Sequence, residues 1–262
     1  MPTYEHASRA SQGARPYQED ASAVWPGNGD LVPKIAATPP NGTALVAVLA
    51  DGMGGHAGGS LASTTICGTF LAHFMGAIGE GRSRLSPALN AANAAIADKV
   101  RTSPGLAGMG ATLVGATIGD EGLSWVSVGD SPMYLYRQGE LVQLNEDHSL
   151  APVIDRLVEQ GKITADEARA DPRRHYLRSA VTGEDIELID APERPLPLAD
   201  GDIIVLASDG IHTLEPDEMS RLIAEHEAQG SEAVAERLVR AVDDAGALHQ
   251  DNTTVVIIKV SG

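Results

Sequence analysis

The chain has 262 residues, 43% apolar, 21% charged and only 3% aromatic, with 28 Gly and 15 Pro, which is the make-up of a globular domain and excludes a disordered, collagen-like or repeat protein. Nineteen basic against 36 acidic residues leave a formal charge of −17, so the far field repels nucleic acid and anionic membrane, and a polyanionic partner needs a local cationic site. One cysteine, Cys67, excludes an internal disulfide or a thiolate cluster, the N-terminal stretch lacks a signal-peptide core, and the longest apolar run is Ala44 to Ala50, far short of the ~20 residues that span a bilayer; the expected location is the cytoplasm.

The first forty residues carry the turn signals Pro26-Gly27-Asn28-Gly29-Asp30 and Pro39-Pro40-Asn41-Gly42 and are expected to hold an opening strand and a loop. ALVAVLA at 44–50, bounded by Gly42 and Asp51-Gly52, predicts a buried strand. Apolar spacing and alanine content predict helices from Gly59 to about Ala77 and from Ser86 to Arg101, with Ser86 as cap and Pro87 at the first helical position. Four strands follow at 111–118, 123–128, 133–136 and 141–144, joined by short turns that make antiparallel neighbours. Ser149 to Gln160 predicts a helix and Thr164-Ala-Asp-Glu167 a capping box. The segment Glu159 to Gly183, with basic residues and His175 between Arg173 and Arg178, reads as an exposed excursion. A strand at 202–207, helices near Pro216–Ala228 and Ser231–Ala245, and a last strand at 253–260 close the chain. Paired strands with grouped helices define a single α+β domain over 1–262, with layered architecture.

Three apolar strands end alike: VLA-Asp51-Gly52, VSV-Gly129-Asp130-Ser131 and VLA-Ser208-Asp209-Gly210, while Asp251 stands just before the last strand. Asp-Gly after a strand is a common turn, but the arrangement recurs three times. If those ends share one edge, carboxylates converge that need a cation to remain ionised together. Oxygen donors alone, with no Cys cluster or His pair, favour a hard ion such as Mg²⁺ or Mn²⁺ over Zn²⁺. The glycine-rich run Asp51 to Gly59 lacks the Lys of a nucleotide loop; it reads as a tight turn that holds Asp51 and Gly52 against metal.

The segments Arg15-Pro-Tyr-Gln-Glu19-Asp20, Val48-Leu-Ala-Asp51-Gly-Met-Gly-Gly-His56, Met109-Gly-Ala-Thr112, Val128-Gly-Asp130-Ser131, Ser208-Asp209-Gly210 and Asp251-Asn252-Thr-Thr-Val255 resemble, in order and spacing, the PPM (PP2C-type) protein serine/threonine phosphatases of bacteria. The resemblance covers nearly the whole chain. It implies a β-sandwich of two antiparallel sheets flanked by helices, with a centre of two Mn²⁺ or Mg²⁺ ions. By that resemblance Asp51 bridges both metals, Gly52 offers its carbonyl, and Asp209 and Asp251 complete the pair. Glu19 and Asp20 become outer or water-mediated contacts, Asp130 joins Asp209 around a weaker third ion, and Arg15 is the phosphate-binding arginine. A hydroxide between the two metals would then attack phosphorus in line.

Met53 stands where eukaryotic relatives carry a proton-donating histidine. His56, or a metal-bound water, is left as the donor. Pro132 replaces the usual arginine after Gly-Asp-Ser and removes a local cation. The stretch from about 149 to 183 corresponds to the family's flap, where Arg173, Arg174, His175 and Arg178 either contact a phosphopeptide or form a solvated basic loop. The expected partners are phosphorylated proteins and a cognate Ser/Thr kinase, with no nucleic acid and no membrane, the chain itself being a monomer. The rival reading is a non-catalytic, metal-stabilised module that docks phosphoproteins.

Overall fold

Two strands, β1 (Thr3–Ser11) and β2 (Ala21–Trp25), open the chain, one more than the sequence led us to expect. The second is only five residues long and owes its existence to pairing with its neighbour β3 (Thr43–Ala50). The computed structural model describes residues 2–27, 42–54 and 57–262; the turn at 39–42 lies mostly outside them. After β3 come β4 (Gly52–Met53), α1 (Ala57–Gly76), α2 (Gly81–Thr102), β5 (Gly110–Ala111), β6 (Leu113–Gly119), β7 (Gly122–Val128), β8 (Met133–Arg137) and β9 (Glu140–Gln143). Then follow α3 (Ala151–Glu159), α4 (Ala165–Ala170), β10 (Ile203–Ala207), α5 (Pro216–His226), α6 (Ser231–Asp244) and β11 (Thr253–Ser261).

The strands form a four-stranded sheet, β2-β3-β6-β7, and a five-stranded sheet, β1-β11-β10-β8-β9, every pairing antiparallel, with β4 and β5 as a separate small ribbon. Alternation within β3 explains the layering, because successive side chains of a strand face opposite ways. Leu45, Ala47 and Leu49 meet Ile204, Leu206, Val256 and Ile258 of the other sheet. Val46, Val48 and Ala50 meet Ile66, Phe70 and Phe74 of α1. On the far side Val205, Ala207 and Ile257 pack on Leu222 of α5 and Leu238 of α6. The result is helix, sheet, sheet, helix, and the apolar run from Leu45 to Ala50 follows from burial on both faces. Gly115 makes room for Phe70: a Cβ there would lie 2.3 Å from the ring.

The second helix departs from expectation. It starts at Gly81 after Glu80, so Ser86 is not its cap and Pro87 lies inside it. Arg84 and Leu85, one turn earlier, are buried, and that packing holds the turn while Pro87 forfeits one backbone bond. Local chemistry elsewhere behaves as read. Thr164 and Glu167 make both capping-box bonds, at 3.1 and 2.8 Å. Gln138 and Gly139 both adopt positive φ, as a two-residue hairpin turn between β8 and β9 requires. No described helix is long and apolar enough to cross a membrane.

Candidate active site

Strand register decides where the acids fall. Ala21 of β2 lies opposite Ala50 of β3, so Asp20, just before one strand, and Asp51, just after the other, leave the sheet at the same edge. Leu113 of β6 pairs with Val128 of β7, which brings Thr112 and Asp130 to that edge as well. In the other sheet Ala207 of β10 faces Val255 of β11, so Asp209 and Asp251 emerge together. Ser208 fastens the two sheets at this end, its Oγ donating to Asp20 Oδ2 at 2.7 Å and accepting the Thr254 N–H at 2.9 Å.

These ends open into a cleft of about 840 Å³ lined by Arg15, Glu19, Asp51, Gly52, Asp130, Asp209 and Asp251, with Asp20 buried behind it. Asn252 organises the approach. Its amide nitrogen donates to the carbonyls of Gln12 and Tyr17 at 2.8 and 2.9 Å, and its oxygen accepts the Glu19 N–H at 2.8 Å. The loop that carries Arg15 and Glu19 is thereby pinned beside Asp251. Arg15 itself donates to Asp251.

Burial and mutual repulsion push the acids up together. Asp51 stands well above the ordinary carboxylate range, through burial first and then Asp20, Asp209, Asp130 and Asp251. Burial takes Asp20 to about 6 against the opposing bonds from Ser208 and Thr254. Asp130 reaches about 7 through burial, Asp209 and Asp147, and Asp209 rises through burial and Asp251. Among the described residues, Glu19 Oε1, Asp20 Oδ1 and Asp209 Oδ1 are buried oxygens without a hydrogen-bond partner. No trio of His, Cys, Asp or Glu side chains among the described residues is closed to the spacing of a finished cage. The donor set nonetheless fits a hard dication: it is all oxygen, three of its buried oxygens lack a partner, and its acids repel one another.

His56 lies outside the described residues. His175, Tyr176 and Arg178 also line the cleft. Arg173 and Arg174 are instead engaged by Asp171 and Asp155, each at 2.6 Å. Sequence reasoning assigned no role to Thr112, Ser208 or Asn252, although all three stand inside the motifs it quoted.

His148 is buried, and its Nδ1 accepts the Gly129 N–H at 3.3 Å. Burial lowers its pKa despite Glu146, Asp190 and Asp147 nearby. A depressed imidazole contributes stability above its unfolded pKa of about 6.5 and loses it as pH falls through the folded value. The His148 ring is therefore expected to titrate below 6.5 in an NMR pH series; titration above 6.5 would contradict the buried, neutral acceptor.

The profile of the protein phosphatase 2C family matches residues 34–251, and the chain belongs to that family. It is 37% identical over 220 residues to the serine/threonine protein phosphatase PstP of Mycobacterium tuberculosis, covering 83% of this chain and 40% of PstP. The chain thus spans about two fifths of that relative's length. Against the protein phosphatase PhpP of Streptococcus pneumoniae the identity is 30% over 218 residues, 82% of this chain and 85% of PhpP. Among solved structures, M. tuberculosis PstP/Ppp superposes with a TM-score of 0.77 at 30% identity, over 99% of both chains. The PstP catalytic domain in complex with two manganese ions gives 0.76 at 30% identity over the whole of both.

Proposed function

We propose that the protein is a divalent-metal-dependent phosphatase of phosphoserine and phosphothreonine in proteins, reversing the work of a Ser/Thr kinase. One observation carries the reading: acids from five separate loops and Arg15 meet at one edge of a two-sheet sandwich. In this reading Asp51, the Gly52 carbonyl, Asp209 and Asp251 hold two Mn²⁺ or Mg²⁺ ions, Asp130 and Asp209 a weaker third, and Glu19 and Asp20 support them from behind. Bound there, such ions would supply a water acidic enough to serve as nucleophile near neutral pH and would offset charge on the phosphoryl oxygens. The bound cations reverse the local sign, which lets a chain of charge −17 accept a phosphorylated protein. Segment 149–183 acts as the flap over the cleft, to whose lining it contributes His175 and Arg178.

Arg15 orients the phosphoryl group with its planar fork. A hydrogen bond to a charged group contributes about 1.5–3 kcal/mol, or roughly ten- to hundredfold. Arg15→Ala should raise KM for p-nitrophenyl phosphate by that factor, with Arg15→Lys recovering part of it; an unchanged KM takes Arg15 out of the substrate site. The function itself is tested with purified chain, Mn²⁺, and a phosphothreonine peptide beside p-nitrophenyl phosphate. Phosphate release that EDTA abolishes is the expected result. Tight phosphopeptide binding without turnover across several metals would favour the docking module instead.

A further inference from the structure

Thr112 sits where the chain passes from β5, which pairs with β4, to β6, which pairs with β3 and β7. It is 3% exposed and does three things at once. Its backbone N–H donates to the Asp51 carbonyl at 2.9 Å, and its hydroxyl accepts the Asp51 N–H at 3.0 Å. The same hydroxyl lies 2.7 Å from Ser131 Oγ, one of the two donating to the other. Ser131 is 1% exposed and follows Asp130 directly.

The far side of this bridge is anchored in turn. Asn145 Nδ2 donates to the Ser131 carbonyl at 2.9 Å while Asn145 Oδ1 accepts the Met133 N–H at 2.7 Å. Gly129, on the other flank of Asp130, adopts φ +102°, and a Cβ there would lie 2.6 Å from the Thr112 methyl carbon. The threonine therefore uses its methyl against Gly129 and its hydroxyl against Ser131 and Asp51. Its polar atom is satisfied only if both acid-bearing loops stay in place, because a buried hydroxyl that loses its partners is costly.

We propose that Thr112 is a positioning residue: its hydroxyl, bonded to the Asp51 backbone and to Ser131, locks the Asp51 loop to the Asp130 loop, so that metal held at one depends on the other. This rests on the function proposed above only in taking Asp51 and Asp130 as ligands. Groups that orient ligands without touching the ion typically change affinity by about 10–100-fold when removed.

The test is Mn²⁺ binding by the purified full chain, read from the electron paramagnetic resonance of free Mn²⁺, without any substrate. Thr112→Val keeps the methyl packing and loses the hydroxyl; it should weaken Mn²⁺ binding by roughly ten- to hundredfold, whereas Thr112→Ser should stay within about threefold of wild type. Ser131→Ala should weaken binding from the other loop, and the double variant should be no weaker than Thr112→Val, since both remove the same bond. Wild-type Mn²⁺ binding by Thr112→Val overturns the proposal, as does Thr112→Ser binding as weakly as Thr112→Val, which would assign the effect to packing. If Thr112→Val does not fold, wild-type binding by Ser131→Ala overturns it. Failure of the phosphatase reading would show separately, as a wild-type chain that binds Mn²⁺ and releases no phosphate.

Discussion

Asp209→Asn is expected to lower Mn²⁺-supported phosphate release by about a thousandfold or more while raising the melting temperature of the chelated protein. In the function proposed above, Asp209 is a charged ligand, and the first effect follows from losing it. A bound metal contributes several kcal/mol of charge stabilisation at the reacting phosphoryl group, and each 1.36 kcal/mol is about tenfold in rate. The second follows from the site itself. Asp209 has a buried, unpartnered Oδ1 and its carboxyl is pushed up by burial and by Asp251, so its charge strains the metal-free fold. Asparagine keeps the shape, removes that charge and offers a donor to the acids around it. Substitutions that relieve a strained functional site commonly stabilise by about 0.5–2 kcal/mol, and one kcal/mol moves the melting temperature by roughly 2–4 °C in a chain of this size. The two measurements discriminate together. Inactive and more stable in EDTA is the signature of a metal ligand. Inactive and less stable would make Asp209 a structural residue, and activity within about tenfold of wild type would remove it from the site.

What was legible in the sequence were features whose cause is local. The run at 44–50 announced a buried strand because a continuous apolar stretch leaves no polar face for solvent, and Leu45 to Ala50 are indeed buried. Thr164 and Glu167 announced a helix start because three-residue spacing closes both cap bonds. The repeated strand-then-Asp pattern pointed to one acidic edge, and the registers of β3 with β2, β7 with β6 and β10 with β11 bring those strand ends to it. What stayed hidden depends on distant partners. The helix at 81–102 begins before Pro87 because Arg84 and Leu85 are buried, and a proline outranks burial only when nothing is known of the neighbours. β2 exists by pairing with β3. Ser208, Asn252 and Thr112 look like ordinary polar residues until the fold sets them against Asp20, Glu19 and Asp51 across 188, 233 and 61 positions of chain.

Gly52→Ala should disable the site through its walls and not its charges. A Cβ on Gly52 would stand 2.3 Å from the Gly59 carbonyl oxygen and 2.4 Å from that of Glu19, both far inside van der Waals contact. Neither obstacle is the flexible end of a side chain. One oxygen belongs to the first turns of α1, the other to the loop that Asn252 pins beside Asp251. To admit one methyl group, either α1 must shift from β4 or the Glu19 loop must leave Asn252. Overpacking against yielding side chains costs about 1–3 kcal/mol; with backbone on both sides the expected cost is near 3 kcal/mol, or roughly 6–12 °C in melting temperature. The displacement also falls on Asp51 and Glu19 themselves, and a misplacement of about 1 Å in a catalytic arrangement can cost around a hundredfold in rate. Gly68→Ala is the control, since nothing lies within 4 Å of a Cβ there and alanine within a helix is favoured over glycine by about 0.5–1 kcal/mol. Circular-dichroism melts in EDTA should rank Gly68→Ala at or above wild type and Gly52→Ala well below it. A Gly52→Ala protein that melts within about 2 °C of wild type and hydrolyses p-nitrophenyl phosphate at the wild-type rate would mean that β4, α1 and the Glu19 loop do not meet as tightly as Gly52, Gly59 and Glu19 place them.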